Sequence, residues 1–154
     1  MTKQVMDRKA ADNKYLHKDF HIYMSFGVEY VGKQYGLDGV REYLAEFTRN
    51  YHKPLIQDIR QRGLDAVQDY LAQLYAAEEV PEDLEMTRTG SELSVLVKRC
   101  PAVTHIRKQG GTPSCWFAET TSTVYATLAS EAGIRFEMID YKEEDGRAQF
   151  RFLA

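Results

Sequence analysis

The 154-residue chain contains only two cysteines, four prolines and one tryptophan. Two cysteines are too few for a disulfide scaffold of the kind that stabilises small secreted domains. The sequence also lacks a run of about 18 apolar residues, the length that a membrane-spanning helix needs. Segment 1–14 is too polar for a signal peptide. These absences predict a cytoplasmic protein with reduced thiols and no membrane partner.

An excess of basic charge is absent as well. The chain has 20 Lys and Arg residues against 23 Asp and Glu residues, a formal net charge of −3, so no nucleic-acid partner is expected. The hydrophobic share of 44% and the charged share of 28% are ordinary for a globular protein. A chain of this length typically forms one domain. We therefore predict a single domain over residues 1–154, and leave a homo-oligomer open.

The first half of the sequence has helical periodicity. Apolar residues at three- and four-residue spacing predict a long helix over residues 12–35 that ends at Gly36. A second helix is predicted over about 38–62, and Pro54 should break it because proline lacks a backbone donor. A third helix over about 64–78 completes this half.

The second half alternates with the period of a strand. Two β-hairpins are predicted, and their strands cover about 83–88, 92–99, 134–141 and 147–152. Between them, a loop over 100–112 leads into a helix over about 113–131. The predicted fold class is therefore α+β, with an N-terminal helical half of about three helices packed on a four-stranded antiparallel sheet of hairpin–helix–hairpin order.

The first candidate for chemistry is Cys115. A helix that starts at Thr112 and Pro113 would place this thiol in its first turn, where backbone donors and the helix dipole stabilise a thiolate. Glu119 follows one turn later on the same face and could act as a general base or bind a cationic group. The alternatives are a small buried thiol and a surface carboxylate.

Cys100 and His105 are two further candidate catalytic residues. Cys100 ends a predicted strand, where a side chain can face a pocket, and His105 follows in the predicted loop as an acid or a base. A packed core thiol and a surface histidine are the alternatives. Arg99 and Arg107 lie close by in the sequence and could hold a substrate carboxylate.

His17 and His21 are four residues apart on the first predicted helix, so they project from one face. They could bind substrate, and this spacing can also chelate a divalent metal together with a cysteine. No glutamate follows the first histidine as it does in zinc proteases, so the metal signal is weak. We expect no cofactor and regard a pair at the edge of the core as the alternative.

Three segments together resemble one known family. "YLHKDFH", "LVKRCPAVTHIRK" and "CWFAETTSTVYATLASEAG" are similar to the L-2-amino-thiazoline-4-carboxylic acid hydrolase-like family, over about residues 13–152. The resemblance implies hydrolysis of a cyclic amidine-like C=N bond to give N-carbamoyl-L-cysteine. The order hairpin, "CP", helix, hairpin also resembles, more distantly, the ligand-binding domains related to the bacterial 4-vinyl reductase domain. That likeness implies a pocket between helices and sheet, and it admits a sensor without catalysis.

Two hypotheses follow for a small-molecule partner. The preferred one is a hydrolase in which the Cys115 thiolate attacks the ring carbon, or in which His105 or Glu119 activates water. A histidine would supply the proton to the leaving group, and Arg99 or Arg107 would bind the substrate carboxylate. The alternative is a non-catalytic, sensor-type domain that uses the same pocket.

Overall fold

The computed structural model describes residues 14–154, and the side chains from residue 18 onwards. Helix α1 (Lys14–Tyr51) is interrupted at Gly36, whose φ of 69° and ψ of −166° are not helical. A positive φ is the conformation that glycine adopts most readily. The predicted helix end at Gly36 is confirmed, whereas the predicted start at residue 12 lies outside the described residues.

The two arms of α1, residues 14–35 and 37–51, run back along each other as a helical hairpin. The rings of Phe20 and Phe47 stack with centroids 6.3 Å apart. A hydrophobic core joins both arms to two later helices of the chain. Its buried residues are Val28, Val40, Leu44, Ile56, Val124 and Leu128. The hairpin therefore packs on the rest of the molecule through one apolar side.

Helices α2 (Lys53–Arg62) and α3 (Leu64–Ala77) complete the helical half. The chain breaks at His52, immediately before the Pro54-containing first turn of α2, which confirms the predicted break. A short 3₁₀ helix (Pro81–Asp83) then leads into the sheet. None of the helices within residues 14–154 is both long enough and apolar enough to cross a membrane.

The sheet has four antiparallel strands in the order β1-β2-β4-β3. They are β1 (Leu84–Thr89), β2 (Glu92–Val97), β3 (Arg135–Tyr141) and β4 (Ala148–Leu153). One face is apolar and packs against α3 and α5 (Glu119–Ala132); its most deeply buried residues are Leu93, Val95, Phe150 and Phe152. The other face carries Arg151, which pairs with Glu137 and Glu92. The α+β prediction, with two hairpins around a helix, is confirmed.

Two predictions for the middle of the chain are wrong. The predicted loop over 100–112 contains helix α4 (Pro101–Lys108), with a proline in its first turn. Helix α5 begins at Glu119, six residues later than predicted, because residues 115–118 form a turn. Both departures change the position of the candidate catalytic residues.

Candidate functional site: a thiol groove beside α4

Ser114 fixes the turn that precedes α5. Its backbone N–H donates to Ser25 Oγ at 3.0 Å, and its hydroxyl donates to Glu29 Oε2 at 2.7 Å. The hydrogen bond from Ser114, with a contribution from Lys33, holds the pKa of Glu29 below its ordinary value. Because Ser114 is tied to α1 in this way, the chain turns through residues 115–118 before it becomes helical.

Cys115 lies in this turn and is exposed. It lines a groove of about 240 Å³ between α4, the turn and the end of β3. The residues around the groove are Val103, Arg107, Thr112, Pro113, Ser114, Cys115, Phe117, Ala118, Tyr141 and Glu143. The predicted position of Cys115 in the first turn of a helix is wrong, since α5 begins four residues later. Its thiol is therefore accessible but lacks the predicted support of the helix dipole.

Arg107 supplies the positive charge of the groove. It lies near the end of α4, and its Nη2 donates to the carbonyl oxygen of Glu143 at 3.4 Å. This contact links Arg107 to the backbone of Glu143, and both residues line the groove. Of the predicted substrate-binding residues whose side chains are described, Arg107 is the one that shares a groove with Cys115.

Tyr141 and Glu143 belong to the groove and were not predicted. Tyr141 ends β3, and Glu143 follows in the β3–β4 turn. Burial raises the pKa of Tyr141 well above its ordinary value, so its phenol stays protonated at neutral pH and can donate a hydrogen bond. The sequence did contain a feature that could have pointed to these two residues: they lie where a predicted strand ends and the acidic turn "EEDG" begins.

His105 does not face this groove. It lies within α4 rather than in a loop, and its Nε2 is 3.8 Å from Asp19 Oδ1 on α1. That nitrogen is buried and has no hydrogen bond to any residue whose side chain is described. Helical spacing explains why His105 lies away from the groove. Val103 and Arg107 are four residues apart and share one side of α4, whereas His105 is two residues from each and lies on the opposite side. His105 therefore does not line the groove that contains Cys115.

Glu119 lies in a different groove, of about 480 Å³, between α1 and α5. Both of its carboxylate oxygens bind Arg41, at 3.3 Å each. Thr123 also donates to it at 2.5 Å. Since its oxygens are engaged by Arg41 and Thr123, Glu119 is held as one side of an ion pair, apart from Cys115.

Cys100 is the N-cap residue of α4, and its thiol is packed against the core rather than presented to the Cys115 groove. Burial raises the pKa of this thiol, and hydrogen bonding from the backbone of Val103 and Ala102 opposes the rise. A Cβ atom on Gly146 would lie 2.3 Å from Cys100 Cβ, so the β3–β4 turn approaches it closely. These contacts fit the alternative that Cys100 is a thiol packed against the core. Neither Cys100 nor Cys115 forms a disulfide.

Arg99 and His21 are engaged elsewhere. Arg99 Nη2 lies 3.2 Å from an oxygen of the buried Asp83, and His21 Nε2 lies 2.6 Å from Glu78 Oε1. The side chain of His17 falls outside the described residues. Among those that are described, no three His, Cys, Asp or Glu side chains converge as metal ligands would.

No protein-family model matches the chain, and no curated protein matches it significantly. The resemblance to the thiazoline carboxylate hydrolase-like family therefore stays a prediction that rests on the quoted segments.

The close contact between Trp116 and Gly32 gives a test of how α1 positions the turn. A Cβ atom on Gly32 would lie 2.4 Å from Trp116 Cε3. We expect Gly32→Ala to lower the free energy of unfolding by about 1–3 kcal/mol through overpacking. Urea unfolding followed by fluorescence measures this directly, because Trp116 is the single tryptophan.

Gly27→Ala is the matched control on the same helix. The new Cβ atom would lie 3.5 Å from Tyr43 Oη, an ordinary van der Waals contact. We expect this variant to gain up to about 1 kcal/mol from helix propensity. Equal effects of the two substitutions would contradict the packing argument.

Proposed function

We propose that this chain is a small-molecule hydrolase that opens a carboxylate-bearing cyclic amidine in the Cys115 groove. The observation that carries the proposal is the exposed thiol of Cys115 in one groove with Arg107, Tyr141 and Glu143. A nucleophile, a cation, a hydrogen-bond donor and a carboxylate are the groups that such a reaction needs. The L-2-amino-thiazoline-4-carboxylate ring, which the family resemblance implies, is the proposed substrate.

The size and charge of the groove support a small anionic substrate. A volume of about 240 Å³ lies just below the roughly 300–1,000 Å³ of pockets for drug-sized ligands. One five-membered ring with its substituents suits such a space. The Arg107 guanidinium can bind the ring carboxylate through two parallel hydrogen bonds.

The proposed reaction proceeds in two steps. The Cys115 thiolate bonds to the carbon between the ring sulfur and nitrogen, and the C=N electron pair moves to nitrogen, which takes a proton from solvent. The tetrahedral adduct then expels the ring sulfur as a thiolate. Water, deprotonated by Glu143, attacks the same carbon and releases Cys115, which leaves the N-carbamoyl product. Tyr141 stabilises the developing charge as a neutral donor.

The test is turnover of L-2-amino-thiazoline-4-carboxylate, with N-carbamoyl-cysteine identified by mass spectrometry. We expect Arg107→Gln to raise KM by about tenfold with little change in kcat, because it removes uniform binding of the carboxylate. Lys108→Gln, an exposed neighbour on the same helix, is the matched control and should behave as wild type. Absence of product with the wild-type protein would overturn the substrate assignment.

A second candidate function is binding without turnover. The specific observation is that, within the described part of the chain, the groove has no histidine lining it, while His105 faces Asp19. Isothermal titration calorimetry with L-2-amino-thiazoline-4-carboxylate distinguishes a hydrolase from a binding domain. Saturable binding that depends on Arg107 and gives no product supports a sensor-type domain. Either function is proposed for a cytoplasmic protein, where free thiols stay reduced.

A further inference from the structure

We infer that an aromatic stripe on the first arm of α1 joins two copies of this chain into a two-fold symmetric dimer. Tyr23, Phe26 and Tyr30 are 69%, 68% and 67% exposed. Their spacing of three and four residues places them on one face of the arm. The stripe uses residues outside the Cys115 groove, so this inference does not rest on the proposed function.

The exposed aromatic area is large enough for a dimer. Tyr43, on the second arm, reaches Gly27 between the stripe residues, and Phe20 extends the surface; they are 39% and 37% exposed. At roughly 150–250 Å² per aromatic side chain, the five offer on the order of 600 Å² per copy. Two copies would bury about 1,200 Å², the lower end of specific interfaces. Tyrosine is also enriched at such interfaces.

The centre of the stripe lies just after Phe26. Tyr23 lies three residues before it and Tyr30 four residues after it, the spacing of a two-helix seam. A two-fold axis brings the same patch of both subunits together. An antiparallel pair of arms whose two-fold axis passes between residues 26 and 27 therefore places Tyr23 against Tyr30 of the other copy and brings the two Phe26 rings side by side near the axis.

The charges at the two ends of the stripe are complementary in this arrangement. Asp19 lies four residues before Tyr23, and Lys33 lies three residues after Tyr30. The antiparallel pair brings Asp19 of each copy towards Lys33 of the other. Within one copy Lys33 Nζ lies 3.1 Å from Glu29 Oε1, and Asp19 Oδ1 lies 3.8 Å from His105 Nε2. The side chains of Lys33 and Asp19 are still 67% and 27% exposed, so the second copy can reach both.

A lipid surface fits the stripe less well. Amphipathic helices that lie on membranes carry lysine and arginine along their polar face, and the arm has neither between Asp19 and Gly32. The net charge of −3 also opposes adsorption to anionic lipid. The second copy is thus the occupant that area, symmetry and charge favour.

Sedimentation velocity over a range of concentrations tests the dimer. We expect the wild-type protein to have twice the monomer mass, and Phe26→Glu to raise the dimer dissociation constant by at least about a hundredfold, since it buries two carboxylates at the axis. Ile139→Glu is the matched control, because Ile139 is 53% exposed on β3. It should leave the dimer intact.

Charge reversal tests the antiparallel register. Asp19→Lys and Lys33→Asp should each raise the dimer dissociation constant by about tenfold. In either variant residues 19 and 33 carry the same charge, and the two-fold symmetry repeats this repulsive contact at both ends of the stripe. An equimolar mixture of the two variants should form a heterodimer of wild-type strength. A wild-type monomer at all concentrations would overturn the inference, as would a dimer unaffected by Phe26→Glu. Binding of monomer to phosphatidylcholine–phosphatidylglycerol vesicles through the stripe would overturn it in favour of a membrane surface.

Discussion

Replacing Cys115 with serine is expected to lower kcat/KM for the proposed ring opening by about a thousandfold or more. A serine hydroxyl stays protonated at neutral pH, and no histidine among the side chains described from residue 18 onwards lines the groove to activate it. A thiol, in contrast, forms a nucleophilic thiolate readily. Loss of the nucleophile removes the covalent step and leaves only the binding contribution of the groove. Initial rates of product formation measure the effect.

Cys100→Ser is the matched control for this prediction. Cys100 is partly buried beside the core and is the N-cap residue of α4, and serine is a favourable N-cap residue. We expect kcat/KM to stay within about threefold of wild type, as for a conservative change away from the reacting atoms. Full activity of Cys115→Ser would show that water attacks the ring directly, and full loss in Cys100→Ser would move the chemistry to the α4 N-terminus.

Raising the pH above about 10 is expected to unfold the protein, because the buried Tyr75 and several partly buried tyrosines must ionise. Burial is the main cause that raises the pKa of Tyr75, Tyr125 and Tyr141, and it raises that of Tyr70 to about 12. In the unfolded chain a tyrosine ionises near its ordinary pKa of about 10. The stabilisation is therefore complete below about pH 10 and is lost as the pH rises through the folded-state values.

Far-ultraviolet circular dichroism and tyrosinate absorbance, recorded together across a pH titration, measure this transition. We expect Tyr70→Phe to raise the midpoint by about half a pH unit, since it removes one of the groups whose pKa is raised in the folded protein. Tyr35→Phe is the control, because Tyr35 is 73% exposed. Ionisation of the tyrosines without loss of helical signal would contradict the prediction.

Backbone chemistry made most of the fold predictable. Gly36 and Pro54 mark breaks that depend on the residue itself, so the first two helices could be separated from sequence. The two hairpins follow from a period of two and from turn residues. Helix α4 was missed because eight residues are too few for a clear helical period, although Pro101 in its first turn was an available signal.

The candidate site depends on contacts between distant parts of the chain, which a local pattern cannot show. Thr112 and Pro113 have the chemistry of a helix start, yet Ser114 bonds to Ser25, 89 residues earlier, and the helix begins later. In the same way Tyr141 reaches the groove only because β3 pairs with β4. The types of reactive residue could thus be predicted, but not which of them meet.

The strand order has a consequence for how the protein is made. Strand β4 lies between β2 and β3, so the inner edge of β2 has no hydrogen-bonding partner until the last of the four strands has been synthesised. An unpaired strand edge readily pairs with other chains. We therefore expect the nascent protein to be most prone to aggregation while residues 98–147 are being synthesised. Chaperones that shield strand edges should improve the yield of folded protein most when they act during that stage of synthesis.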